Sequence, residues 1–365
     1  MSIEMWTLAT AIVTAVACAL SGGLLLVKRD SMVSEGLSHA VLPGLAIGFL
    51  IFREYNSPWL IALATASGML MVWLTSWLAR TNLVDADAGL GIVFAGMFSV
   101  GVLIVSRYLR KTHFHADCII EGNLALAPLD RLKLGGYDLG PRSWVVMLVI
   151  LTALVGFLLL CFKELKITLF DSTLAARFQL RPALMQFMML TLISLTTVAA
   201  FNVAGSILIV ALMIAPPAAA LLLTDRLSAV FLVSVGLAIM SAVLGFYLAR
   251  SLDISPTAPI ASVAGGVFLT VFLFAPERGL VATRLTRRRQ REETRTLLLL
   301  DVLASHTSGP SEDPLSCLAW TPIQITTTLA RLGQAGLVEE SGSELRVTPQ
   351  GHKHLAGSLS RMLSD

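Results

Sequence analysis

Nine apolar runs of membrane-spanning length divide this chain, and they decide most of what it can become. They fall at about Met5–Val27, Ser34–Phe52, Trp59–Ala79, Ala88–Val105, Trp144–Phe162, Ala183–Ala200, Gly205–Leu223, Ala229–Ala249 and Thr257–Ala275. Roughly 20 apolar residues cross a hydrocarbon core as a helix, and a helix satisfies its backbone groups without water. With 55% apolar and 14% charged residues and a mean hydropathy of +0.77, the chain reads as an all-α polytopic membrane protein of about nine transmembrane helices. The first run is too long for a cleavable signal peptide and has no basic leader. Cys18, Cys118, Cys161 and Cys317 stand singly, so neither a disulfide framework nor a zinc knuckle is expected.

An odd number of spans puts the termini on opposite sides, and lysine and arginine then set the direction. With the C-terminal tail inside, the inner loops carry Lys28, Arg29, Arg80, Lys163, Lys166, Arg177, Arg181, Arg226 and six arginines between Arg278 and Arg291. The outer side carries Arg53, Arg250 and six more in the loop from Ser106 to Arg142, the one exception to the positive-inside pattern.

The second run, SEGLSHAVLPGLAIGFLIF, holds an acid and a histidine four residues apart. On a helix Glu35 and His39 share a face one turn apart. Pro43 follows on that face and, lacking an N–H, leaves the His39 carbonyl without its helical partner. Carboxylate, imidazole and free carbonyl together suit a cation in transit, because polar groups at this depth are costly and usually serve a path. A plainer reading puts Glu35 in solvent at the inner mouth and has His39 bond only a neighbouring helix. Gly36, Ala40, Gly44 and Gly48 form a small-residue stripe that admits a close neighbour.

Other segments carry weaker signals. The outer loop contains HFHADC, whose alternating His113, His115 and Asp117 can share one side of an extended strand as ligands at an entrance, or can simply be solvated. On the inner side, Asp171 and Ser172 can cap a short helix through Phe178, and Pro182 opens the next span; such a knob suits docking of a soluble partner, or is only a surface loop. Pro216 and Pro217 free the carbonyls of Leu212 and Met213 and are expected to break or kink the seventh span, as helices along substrate paths often are.

After Pro276 the chain turns basic, in a stretch suited to anionic membrane lipid. The segments beyond read as helix, helix, two short strands around a glycine turn and a last helix, the outline of a small winged-helix α+β domain. The expected division is a transmembrane body at 1–280, a basic juxtamembrane linker at 281–294 and the winged-helix-like domain at 295–365. From Glu292 onward five Lys/Arg face nine Asp/Glu, a poor balance for phosphate neutralisation, so nucleic acid binding by this domain is disfavoured against a protein-contact or regulatory role. His306, Cys317, His352 and His354 are candidate metal sensors there, the last two more simply solvated.

SEGLSHAVLPG, with FKELKITLFDSTLAA and GSILIVALMIAPPAAALLLTDRL, resembles the manganese/zinc/iron permease family of ABC importers over about residues 5–280. The resemblance implies a type II importer-like fold with Glu35 and His39 handling the metal, Glu35 standing where many members have aspartate. It implies that Asp117–Gly122 belongs to the outer loop and that Asp171–Leu180 contacts the ATPase, with Asp171, Ser172, Ala175, Ala176, Arg177 and Gln179 as contact candidates. Gln179 replaces a usual glycine. The tail resembles the winged-helix part of metal-responsive repressors. No GxxxxGK[ST] loop occurs, so ATP hydrolysis falls to a partner chain and this chain is not itself an enzyme. The expectation is a prokaryotic inner-membrane permease subunit, homodimeric or paired with a sister permease, working with ABC ATPases and an extracytoplasmic metal-binding protein. It holds no tight cofactor. Manganese is the first choice of cargo, with ferrous iron or zinc as alternatives. A membrane-anchored metal sensor signalling through the tail is the competing class. A secondary transporter is a third, disfavoured because no further buried carboxylates offer proton coupling.

Overall fold

The computed structural model describes residues 3–28, 30, 32–52, 58–81, 83–108, 124, 127–134, 137–170, 175, 177–178, 181–276, 278–305, 320–341 and 344–362. They divide into two compact units, Met1–Gly279 and Leu280–Asp365.

The first unit is a helical bundle: α1 (Ile3–Val27), α2 (Met32–Phe52), α3 (Pro58–Arg80), α4 (Ala86–Tyr108), α5 (Arg142–Leu160), the short α6 (Phe162–Phe170), α7 (Pro182–Leu223), α8 (Leu227–Leu252) and α9 (Thr257–Phe274). Among the described residues eight helices are long and apolar enough to cross a membrane. The 42-residue α7 is not straight. Gly205, at φ 71° and ψ 168°, occupies a region that essentially only glycine adopts. Thr197 and Met213 stand equally far on either side of it, yet the Thr197 hydroxyl lies 3.7 Å from the Met213 sulfur. Sixteen residues of straight helix would hold them about 24 Å apart, so the chain folds back at Gly205. The reversal thus falls at the gap between the sixth and seventh apolar runs, and the break or kink expected at Pro216 and Pro217 is not found: both lie inside the second limb of α7, whose backbone stays helical. Close packing around that limb carries a proline pair that isolated propensity would not.

Helix α7 is the hub, touching α1, α2, α3, α5, α8 and α9. Its approach to α1 is backbone on backbone: a Cβ built on Gly22 would fall 1.8 Å from the Met213 carbonyl oxygen. Leu24, Leu25, Ile193, Leu208 and Ile209 fill this centre and are fully buried. Helices α2, α3 and α4 form a second group joined to α7 through α2 and α3.

The two ends of the bundle differ in chemistry. At one, Glu4 pairs with Arg250 at 3.0 Å and Trp6 meets Trp144 edge-on at 5.5 Å, beneath an antiparallel hairpin of β1 (Arg131–Leu134) and β2 (Tyr137–Pro141). At the other, Arg278 bonds Asp225 and the Leu221 carbonyl, and Lys28 pairs with Asp30. The hairpin occupies the end of the long loop anticipated outside. His113, His115, Asp117 and Cys118 lie outside the described residues.

The second unit contains α10 (Leu280–Ser305), α11 (Pro322–Gln334), the β3 (Val338–Ser341) and β4 (Glu344–Val347) hairpin, and α12 (Pro349–Met362). Leu299, Leu300, Leu303, Leu332 and Val338 form its core. Gly336, at φ 65°, turns the chain out of α11 as a glycine just past a helix end commonly does. The stretch 281–294, expected as a linker, is the first half of the continuous α10. His352 and His354 are exposed on α12, while His306 and Cys317 fall outside the described residues.

Candidate metal path on helix α2

Helix α2 is built to present two different sides. Its small-residue side packs on α3: a Cβ on Gly44 would meet the Leu63 carbonyl at 2.6 Å and Ala64 Cα at 2.7 Å, Gly48 rests on Leu60, and Ser67 donates a hydrogen bond to the Ala40 carbonyl at 2.6 Å. These contacts need glycine because any side chain would push the helices apart. Replacing Ser67 with alanine is expected to cost about 0.6 kcal/mol, a small fall in thermal midpoint in detergent, with insertion unchanged.

The side toward α4 carries His39. The His39 ring stacks on Phe94 at 5.6 Å with an interplanar angle of 21°, and meets Phe98 edge-on at 5.2 Å. Two aromatic rings one turn apart on α4 thus fix the plane of the imidazole. Glu35, one turn nearer the start of α2, is exposed, while His39 is half-buried. Among the described residues no hydrogen bond or ion pair engages Glu35. Pro43 lies within the helix, and α4 reaches it closely enough that a Cβ on Gly101 would sit 2.9 Å from its nitrogen. The His39 carbonyl therefore has no helical N–H partner.

At the start of α2 a mixed cavity of about 150 Å³ is lined by Lys28, Asp30, Asp87 and Gln186 together with apolar residues such as Val72 and Leu90, with Lys28 and Asp30 paired at 2.6 Å. Beside Pro43 and Gly44, a groove of about 530 Å³ opens between α2, α3 and α4, lined almost wholly by apolar residues such as Ile47, Leu70, Ile92 and Val100. Ser34, next to Glu35, places its hydroxyl 3.5 Å from the Met213 sulfur, which ties the start of α2 to the second limb of α7.

Among the described residues no three His, Cys, Asp or Glu side chains come together. Glu35, His39 and the carbonyl freed by Pro43 lie within two turns of α2. Of the anticipated docking segment, only Ala175, buried, and Arg177 and Phe178, both exposed, are described; Asp171, Ser172, Ala176 and Gln179 lie outside the described residues. Phe94, Phe98 and Gly101, which position His39 and Pro43, were not singled out in the sequence. Their signal is faint, since aromatic and glycine residues are common in any span.

A bundle of membrane-length helices, one of them bearing a carboxylate, an imidazole and a proline at successive turns, defines a multi-pass membrane protein. Its family follows from comparison: residues 2–275 match the ABC 3 transport family, and the chain belongs to it. It is 33% identical over 285 residues to the manganese transport system membrane protein MntD of Bacillus subtilis, covering 78% of this chain and 96% of that one. It is 35% identical over 349 residues to the zinc transport system membrane protein TroD of Treponema pallidum, covering 93% and 95%. The second match runs into the C-terminal unit. Among solved structures, PsaBC from Streptococcus pneumoniae in complex with Fab shares the fold, with a TM-score of 0.64, 23% identity, and coverage of 76% of this chain and 94% of that one.

Proposed function

We propose that this protein is the permease subunit of an ABC importer for a divalent transition metal ion in a prokaryotic plasma membrane. The observation that carries the reading is His39, held between Phe94 and Phe98 one turn from an exposed Glu35, with its own carbonyl released by Pro43. Kinship to chains named for manganese and zinc transport supports it. Glu35 and His39 act as transient ligands, and the thinness of the donor set is useful, because a cargo must be released as readily as it is taken. Carboxylate plus one imidazole suits manganese or ferrous iron and admits zinc; manganese is the metal we favour.

Counting each limb of α7 as one crossing gives nine spans, the C-terminal unit inside and the hairpin outside. Lys28, Arg226 and Arg278 then lie at the inner end. The segment around Ala175–Phe178 meets the ATPase, a metal-binding protein delivers cargo from outside, and the path is completed by a second copy or a sister permease. The α10–α12 unit is read as a winged-helix-like domain with a regulatory or protein-contact role. The sensor alternative asks the same unit to signal, and it predicts no ATPase-dependent accumulation.

The test is elemental analysis of manganese, iron and zinc in an uptake-deficient host expressing this chain with its ATPase and binding protein. One metal is expected to accumulate, the ATPase is expected to be required, and His39→Ala, still present in the membrane, is expected to return cellular metal to background. Accumulation that persists without the ATPase, or equally with His39→Ala, defeats the importer reading or the site respectively.

A further inference from the structure

The import reading leaves the basic half of α10 without a role. Six arginines stand between positions 284 and 295. At about 100° per residue, positions 284, 287, 288 and 291 fall within an arc of about 100° on one side of the helix. Leu299, Leu300 and Leu303, which build the core of the second unit, occupy an adjoining face, so packing does not consume the basic band. Arg284 and Arg291 are exposed, and among the described residues neither is paired with a carboxylate. Charges nearer the core are engaged within the unit: Arg295 lies over the Trp320 ring at 6.0 Å, and Glu292 receives Arg331 at 2.7 Å. The acid closest to the band is thus already neutralised by another cation.

We propose that this band is a docking surface for the anionic phospholipid headgroups of the leaflet at which α9 ends. Residues 275–279 alone separate Phe274 from Leu280, a reach of at most roughly 22 Å, so the band begins near the headgroups and meets lipid phosphate at high effective concentration. Guanidinium groups hold phosphate oxygens two at a time, and their attraction to an acidic leaflet adds along the row. A nucleic acid partner fits less well. From Glu292 onward the unit carries five Lys/Arg against nine Asp/Glu, and a duplex lying along α10 would meet that acidic excess. The inference stands apart from the metal path and does not depend on it.

A photo-reactive benzoylphenylalanine replacing the exposed Gln290, at the edge of the band, identifies the occupant directly. The full-length chain is irradiated in host membranes and the adduct at position 290 is identified by mass spectrometry. Adducts with anionic phospholipid are expected to exceed their share of the bilayer at least about fivefold. The excess should vanish when Arg284, Arg287, Arg288 and Arg291 are all changed to glutamine, or when open membranes are irradiated in high salt. Adducts that follow bulk lipid composition, that survive the four substitutions unchanged, or that are made to nucleic acid or to another protein chain overturn the proposal. Membrane content of each variant, read by blot, separates loss of lipid contact from loss of the protein.

Discussion

Replacing Gly22 with alanine is expected to remove nearly all folded protein from the membrane. The added methyl would sit 1.8 Å from the Met213 carbonyl oxygen, 2.5 Å from its carbon and 2.7 Å from its Cα. All three are backbone atoms, so no rotamer change relieves the overlap and α1 must move away from α7. Overpacking of this kind costs about 3 kcal/mol or more. That carbonyl is one of the two that the proline pair releases, because Pro217 supplies no N–H four residues on. The displacement also reaches the site: Met213 touches Ser34 and Thr197 through its sulfur, so moving it pulls on the residue beside Glu35 and on the first limb of α7. Detergent-solubilised yield and thermal midpoint by fluorescence-detected size exclusion measure the effect. Gly236→Ala on α8 is the control, since nothing lies within 4 Å of its built Cβ. It should leave the protein folded or stabilise it by up to about 1 kcal/mol through helix propensity. If Gly22→Ala behaves like the control, the tight α1–α7 contact is wrong.

What the sequence disclosed and what it hid divide along a physical line. Glu35, His39 and Pro43 stood out because a titratable pair at helical spacing is costly to keep in an apolar segment unless it serves a path. The Gly36–Gly48 stripe announced a close neighbour, which proved to be α3. The reversal in α7 falls at Gly205, at the gap between the apolar runs 183–200 and 205–223, whereas the break expected at Pro216 and Pro217 does not occur in the backbone. The missing N–H groups of that proline pair are local and visible, but whether they bend the helix depends on the packing around the limb, which the sequence does not show. The clamp on His39 was hidden for a different reason. Phe94 and Phe98 become meaningful only once α4 is known to lie against α2, and an apolar span has no polar pattern to specify which helix it meets. The basic stretch after Pro276 was legible as charge, but its continuity with the leucines of the second core, which makes it one helix, came from packing at Leu299–Leu303.

The second large effect concerns Glu35 itself. Glutamine keeps the length and the hydrogen-bonding oxygen but removes the charge, so Glu35→Gln is expected to lower metal accumulation at least about tenfold with the protein still present in the membrane. Because the side chain is exposed and unpaired among the described residues, losing its charge breaks no internal ion pair and the thermal midpoint should stay near that of the parent. Aspartate is the informative contrast. It retains the charge and shortens the reach by one methylene, drawing the carboxylate back toward α2 while Phe94 and Phe98 hold the imidazole where it is. If charge alone matters, Glu35→Asp accumulates the same metal at a similar level. If the spacing between carboxylate and ring selects the ion, Glu35→Asp stays active but the ratio of manganese to zinc in the cells changes, because zinc tolerates few, close ligands while manganese favours more oxygen donors. Elemental ratios from the two variants therefore separate a site that merely attracts cations from one that chooses among them. Unchanged accumulation with Glu35→Gln would show that the ion does not pass this carboxylate at all.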